Sequence, residues 1–444
     1  MSTLAVQART NPAGLLRHWS PAAVSIAGAL AVSLYLAFHN YQVDIDVYRM
    51  GARHVFQPDL YSVRFGNSGL LFTYTPFAAL VFALGTLHLG LWALQGVWAV
   101  TNVVALGALA YVSIRLVRPG LERAQAVRWA SVLVLPGCAL NPVLSTIGLG
   151  QIDLVLCLLV IWDLATDRRV GSRTVPLGVA TGFAAAIKLT PLIFVPYLIV
   201  TRRTRGARNA VVTFVACEAV AFIVSPSNSW TYWTRDVFDS KRAGALLYSS
   251  DQNLSSVLQR FHHGPVSAWV LVPALLVIGV AGLALAGWAH RRSSALLGVL
   301  VCATTGLILS PITWVHHMVW VVPVIIWLAA APDRPRRGPL LAGLTTLLFV
   351  DAPIWWVPTS WKVTGHPPEL HENHWQLLAG NSFFFAMLAF LAGIGCMLAL
   401  RGRVAPRAHT RADRGSDPRR DRRNPLVPTG TRQHDRRSED LELV

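Results

Sequence analysis

The run PAAVSIAGALAVSLYLAFHNYQVDIDVYRMGA, residues 21–52, decides how this chain is read. Its first part, Pro21 to Phe38, is apolar and long enough to cross a bilayer, whose hydrocarbon core takes about 20 helical residues. Its second part places Asp44 and Asp46 six to eight residues beyond that span. Carboxylates at a membrane boundary are costly unless they are paired or used. An embedded enzyme could hold a base there, against a substrate at the water interface.

The rest of the chain has the same character. It is 53% hydrophobic and only 14% charged, with a mean hydropathy of +0.46. A soluble domain carries about 25% charged residues. The composition predicts an all-α, multi-pass membrane protein. The net charge of +17 does not read as a nucleic-acid signal, because it sits in short loops and in the last stretch of chain, as the positive-inside rule produces. The five cysteines fall inside apolar runs, none spaced as CxxC, which argues against zinc and disulfide frameworks. Arg9 and Arg17 precede the first span and no small-residue cleavage site ends it, so a retained signal anchor is expected.

Arginine clusters at 115–128, 167–173, 202–208, 291–292, 334–337 and from 401 onward set the topology. With these clusters and the N-terminus in the cytoplasm, an even number of crossings must separate each from the next. Residues 129–166 then form a hairpin with NPVLSTIGLGQID at its tip, and 209–290, 294–331 and 338–400 each supply two spans. The single apolar stretch 174–201 breaks parity unless it is two half-helices meeting at Lys188. Pro191 suits the start of the second, and broken helices are tolerated where they line a cavity. Of the runs 21–38, 70–87 and 91–114, FTYTPF marks the one that stays in the interface. The count is ten to twelve spans. One catalytic domain, 1–400, carries extracytoplasmic loops at 39–70, 227–265 and 358–376. The tail 401–444, with twelve arginines and seven acids, reads as disordered and cytoplasmic.

In this topology Asp44, Asp46, Gln151, Lys188, Arg235, Lys241, Arg242, His316 and His317 all lie on the extracytoplasmic side, as do all three lysines of the chain, Lys188, Lys241 and Lys362. Cations on the side the charge rule disfavours ask for a local reason, and an anionic ligand is one. Asp44 and Asp46 are candidate bases. At i, i+2 they point apart in either a strand or a helix, so one can work while the other pairs with Arg49 or Arg53. Tyr48 can hydrogen-bond a carboxylate or anchor at the interface. A lone Lys188 within GFAAAIKLTPLIFVP is functional by default, as a point charge facing a phosphate or as half of an internal ion pair. His316 and His317 follow SPITW at a helix start. Their 100° divergence on a helix leaves one facing any given cavity, and the pair alone is a weak metal site. The segment 229–260 mixes aromatics with Arg235, Lys241, Arg242, Gln252 and Asn253, a composition suited to sugars. HPPELHENHW (366–375) matches no standard metal spacing. No metal and no cofactor is expected. With no P-loop and no GxGxxG, an activated donor already in the membrane is required, and a lipid-phosphate sugar fits.

Six stretches carry a resemblance: VDIDVYRMGA (43–52), LLFTYTPFAALVF (70–82), GLGQIDLVL (148–156), AAAIKLTPLIF (184–194), DQNLSSVLQRF (251–261) and LSPITWVHHMVWVVP (309–323). In order and spacing the chain resembles the actinobacterial membrane glycosyltransferases of family 87, with a GT-C-type fold. The resemblance implies a polyprenyl-phosphate sugar donor, a glycolipid acceptor in the bilayer and no nucleic-acid partner. It implies α-1,2 mannose transfer with inversion onto phosphatidylinositol mannosides, lipomannan or lipoarabinomannan, on the outer side of the plasma membrane. The catalytic aspartate falls on Asp44, with Asp46 as the fallback. Lys188, His316, His317 and Arg242 fall to the donor phosphate, and Tyr48, Arg49, Tyr74, Gln151, Gln252, Asn253 and Trp314 to substrate. Two departures stand out, Tyr74-Thr75-Pro76 in place of Tyr-Pro-Pro and Gln252-Asn253-Leu254 in place of Asn-Gln-Ser. An arabinofuranose donor, or a lipid-linked-sugar flippase, are the alternatives.

Overall fold

The computed structural model describes residues 12–404 apart from 41, 66–68, 87 and 363–365. The first four residues of the tail expected to be disordered, 401–404, continue the Ser382–Val404 helix, and the rest of it, 405–444, lies outside the described residues. The described residues up to Leu400 form one compact unit. Among them helix predominates, with two antiparallel two-residue pairings, Arg64–Phe65 with Leu70–Leu71 and Arg169–Val170 with Arg173–Thr174.

Among the described residues six helices are long and apolar enough to cross a membrane: Ser20–His39, Leu91–Val117, Thr204–Val224, Ala268–Arg292, Gly338–Trp355 and Ser382–Arg401. A bent pair, Arg123–Cys138 with Asn141–Leu149, would make seven. Four further apolar helices are shorter: Pro76–Thr86, Thr190–Val200, Ala295–Leu309 and Val315–Ala330. At 1.5 Å per residue each covers about 15–25 Å, less than the hydrocarbon core. Of the ten to twelve crossings expected from charge parity, six or seven are long enough to cross alone, and the others fall on shorter apolar helices. Pro76–Thr86, which begins at the end of the FTYTPF run, is one of the shorter ones.

The short helices form the interior. Nearly every residue of Ala295–Leu309 is buried, and Trp327 in Val321–Ala330 is fully enclosed. The long helices surround them and present Val270, Val272, Leu276, Val277 and Val280 outward. An apolar solvent removes the drive to bury such faces.

Two local devices shape the site. Helix Val179–Ile187 ends where Lys188 turns extended (φ −143°, ψ 125°), and the chain restarts as a 3-10 turn at Thr190–Ile193 with Pro191 in its first turn. This is the expected break at Lys188. The tip NPVLSTIGLGQID is not a plain turn. Asn141–Leu149 is a helix, bent by 79° from Arg123–Cys138. Pro142 sits in its first turn and Gly150 closes it at φ +78°, the usual Pro-start and Gly-stop asymmetry. Gln151 is thereby turned inward and buried.

The half-helix ahead of Lys188 is anchored at its start. Asp163 accepts from the backbone N–H of Gly178 (3.0 and 3.1 Å) and Thr181 (2.9 Å), and from the Thr181 hydroxyl (2.6 Å). Gly178 has φ +93°, and a Cβ there would meet the carbonyl oxygen of Gly206 at 2.0 Å. Gly178→Ala is expected to cost about 1–3 kcal/mol in backbone strain plus the displacement of helix Thr204–Val224. A lowered unfolding temperature in detergent would register it. An unchanged melting curve would show that the two helices separate freely.

Candidate active site

Asp44 and Asp46 occupy the first turn of helix Val43–His54. Their side chains go separate ways. Asp46 lies 3.8 Å from the Arg49 guanidinium. Asp44 accepts a 2.7 Å hydrogen bond from Gln151 Nε2. The Gln151 carbonyl oxygen accepts from the hydroxyls of Tyr48 (3.0 Å) and Tyr74 (2.7 Å), which are themselves 2.9 Å apart. The Gln151 backbone oxygen accepts from Trp98 Nε1 (3.2 Å) and Asn102 Nδ2 (3.3 Å). Tyr48 is fully buried and stacks on Phe82 at 4.1 Å. Of the residues expected to meet substrate, Gln151 bonds Asp44 directly, and Tyr48 and Tyr74 bond Gln151. The hydrogen bonds of Gln151 to Tyr48, Tyr74, Trp98 and Asn102 hold its amide, and that amide fixes the Asp44 carboxylate's orientation.

Burial pushes the Asp44 carboxyl up to about 6. The Gln151 N–H and the charge of Lys188 act in the opposite direction, and Asp153 adds a further rise. A carboxylate near 6 is ionised at neutral pH yet basic enough to take a proton, as a general base requires.

Lys188 is not free. Its ammonium donates to both oxygens of Asp153 at 2.8 and 3.1 Å and lies 5.7 Å from the centre of the Tyr74 ring. Asp153 was not singled out by the sequence reading, although it ends the GLGQID stretch. The available signal was an acid in the first turn of an apolar helix, Asp153–Ala165. His316 and His317 begin the 3-10 turn Val315–Trp320, their rings 4.6 Å apart and nearly perpendicular. One ligand atom from each, with an oxygen of Asp153, all lie within 4.8 Å of one another. Adjacent residues diverge by about 120° on a 3-10 turn, yet both rings reach the Asp153 carboxylate, so here the pair shares one partner where only one histidine was expected to face a given cavity.

The other expected site residues are placed elsewhere. Arg242 donates to the Tyr61 carbonyl (2.5 Å) and lies 3.6 Å from Asp236. Gln252 donates to the carbonyls of Ser249 (2.6 Å) and Gly380 (2.8 Å), and its oxygen accepts from Phe384 N–H. Asn253 caps helix Leu254–Phe261 and bonds Asp251 and the Pro311 carbonyl. Both amides are buried and used structurally. The Trp314 ring lies 6.1 Å from that of Tyr248, which in turn lies 5.7 Å from Trp355. In HPPELHENHW, Glu369 is buried and accepts from Thr359 Oγ1 (2.7 Å) and Ser360 N–H (2.6 Å).

The Gln151 contact makes a direct prediction. Gln151→Ala removes the N–H that stabilises ionised Asp44, so the Asp44 pKa moves further above 6 and less base is ionised at any pH near it. The acid limb of the rate profile should shift to higher pH, with kcat reduced more than KM. A profile superimposable on that of the wild type would show that Gln151 does not act on Asp44.

Residues 72–311 match the model of glycosyltransferase family 87. The chain is 32% identical over 411 residues, covering 87% of it and 91% of the relative, to a polyprenol-phosphate-mannose-dependent alpha-(1-2)-phosphatidylinositol pentamannoside mannosyltransferase of Mycobacterium tuberculosis. It is 31% identical over 408 residues, covering 85% and 89%, to a polyprenol-phosphate-mannose-dependent alpha-(1-2)-phosphatidylinositol mannoside mannosyltransferase of Mycolicibacterium smegmatis. No solved structure matches. The helical membrane scaffold, the family model matching residues 72–311 and the relatives matched over most of both chains lead to one conclusion: the chain belongs to glycosyltransferase family 87.

Proposed function

We propose that the chain transfers mannose from a polyprenyl-phosphate donor to a phosphatidylinositol mannoside, forming an α-1,2 linkage with inversion on the extracytoplasmic face of the plasma membrane. The observation that carries this reading is the half-buried Asp44, held by Gln151 and close enough to Lys188 and Asp153 to feel their charges. The relatives' names supply donor and acceptor classes. The acceptor hydroxyl oxygen attacks the anomeric carbon as its proton passes to Asp44. The bond from that carbon to the phosphate oxygen breaks, and polyprenyl phosphate leaves with the electron pair. One displacement inverts the β donor to the α product and needs a single base, unlike the two-carboxylate scheme of retaining hydrolysis. Phosphate is a good leaving group, so no general acid is demanded. Positive charge set near the departing oxygens stabilises the transition state.

Purified protein in lipid nanodiscs, given polyprenyl-phosphate mannose and a phosphatidylinositol mannoside mixture, should yield acceptor heavier by one hexose. Product only from the arabinofuranosyl donor would replace the sugar. Donor movement across vesicles without any heavier product would replace the enzyme reading with a flippase.

A further inference from the structure

We propose that Asp153, His316 and His317 bind one divalent transition-metal cation, which clamps the phosphate of the lipid donor; the clamp, though not the metal site itself, rests on the function proposed above. Two observations point to a cation. The first is charge. Lys188 is the permanent cation of this group, and both oxygens of Asp153 already hold it. That pair sums to zero. Ionised Asp44 and a phosphodiester donor then add negative charge, and the leaving phosphate gains more as its bond breaks. Uncompensated charge inside a protein is costly. A divalent ion would restore the balance and polarise the phosphate oxygens as a Lewis acid.

The second observation is the donor set. Asp153 is 7% exposed, His316 6% and His317 8%. Nδ1 of His317 is buried with no hydrogen-bond partner among the described residues. A buried orphan nitrogen asks for a proton acceptor, a donor or a metal. Among the described residues this is the one group of three or more His, Cys, Asp or Glu side chains placed to hold an ion. Two ligand atoms at about 2.1 Å from one ion sit at most about 4.2 Å apart, so a cluster 4.8 Å wide has to close by about half an ångström. Each carboxylate oxygen carries two lone pairs, and Asp153 can keep Lys188 while it binds an ion. Two imidazoles and one carboxylate suit a transition metal with open positions, which phosphate oxygens can fill. The third ligand stands 163 residues before the histidine pair in the sequence, so the pair alone could not have disclosed it.

The test uses the full chain in nanodiscs, stripped with a chelator and titrated with Mn2+ alone, with no sugar donor present. One saturating Mn2+ per chain is expected, with nitrogen couplings from two imidazoles in its electron paramagnetic resonance spectrum. His316→Ala and His317→Ala should each weaken binding at least about tenfold, the low end for losing even an outer-shell partner. Absence of saturable Mn2+ uptake, or a spectrum without nitrogen coupling, overturns the site and needs no variant to fold. Stripped protein should also transfer mannose at least about tenfold more slowly and recover with Mn2+. Full activity after stripping overturns the clamp. Absence of transfer under every condition overturns the proposed function and leaves the Mn2+ titration to decide the site.

Discussion

Asp44→Asn lowers mannose transfer by about 10²–10⁴-fold, the range a positioned general base supplies, while leaving the protein folded. Asparagine keeps the shape of the side chain and can still face Gln151, so the packing of Tyr48, Tyr74 and Phe82 is retained. What it lacks is the lone pair basic enough to take the acceptor proton. The pH profile separates this from a structural effect. The base works ionised, and burial sets its pKa at about 6. In the wild type kcat/KM should therefore rise with pH through about 6 and level off above it, losing tenfold per unit below. The residual activity of Asp44→Asn should lack that limb. Asp46→Asn should be far milder, because Asp46 is turned toward Arg49. Full activity of Asp44→Asn, or a wild-type limb that persists in it, would assign the base elsewhere.

The sequence disclosed what local patterns encode. A lone lysine followed by Thr190-Pro191 in an apolar run marked a broken helix, since an intramembrane charge and a proline at a helix start are each readable within a few residues. The first span and the acids beyond it were readable for the same reason. The partners of these residues were not. Asp153 lies 35 residues before Lys188, and Gln151 lies 107 residues after Asp44. No periodicity links such positions. Gln151 reads as a free amide in sequence, and its inward turn depends on Gly150 at φ +78°. Charge parity says nothing of helix length, so it could not foresee that only six or seven of the expected spans are long enough to cross alone, the others being shorter apolar helices. That both histidines reach one carboxylate was not readable, because that carboxylate, Asp153, comes from a helix more than 160 residues earlier.

The same lesson applies to DQNLSSVLQRF, whose composition suited sugar contact and whose structural role is support. Arg260 is fully buried. Its guanidinium donates to Asn381 Oδ1 (2.9 Å) and to the carbonyls of Leu247 (3.1 Å), Tyr248 (3.2 Å) and Asp251 (2.7 Å). Burial lowers its pKa to about 10, with the nearby Asp251 charge opposing the fall, so it stays protonated at neutral pH. Asp251 in turn accepts from Thr313 N–H (2.6 Å) and Ser256 Oγ (3.1 Å), and Gln252 N–H donates to the Thr313 carbonyl (2.8 Å). Thr313 stands three residues before His316. The Arg260 group thus braces the segment that presents both histidines. Arg260→Met should destabilise the protein by about 1–3 kcal/mol or more, because it leaves the buried oxygens of Asn381, Leu247, Tyr248 and Asp251 without their donor, and should reduce transfer through the histidine segment. Arg260→Lys should recover little, because an ammonium cannot reproduce the planar fork. Thermal unfolding in detergent would read the stability change, and proteolysis within 245–261 the loosened segment. If Arg260→Met melts as the wild type does, the guanidinium is not what holds this segment against Thr313, and the histidines depend on some other brace.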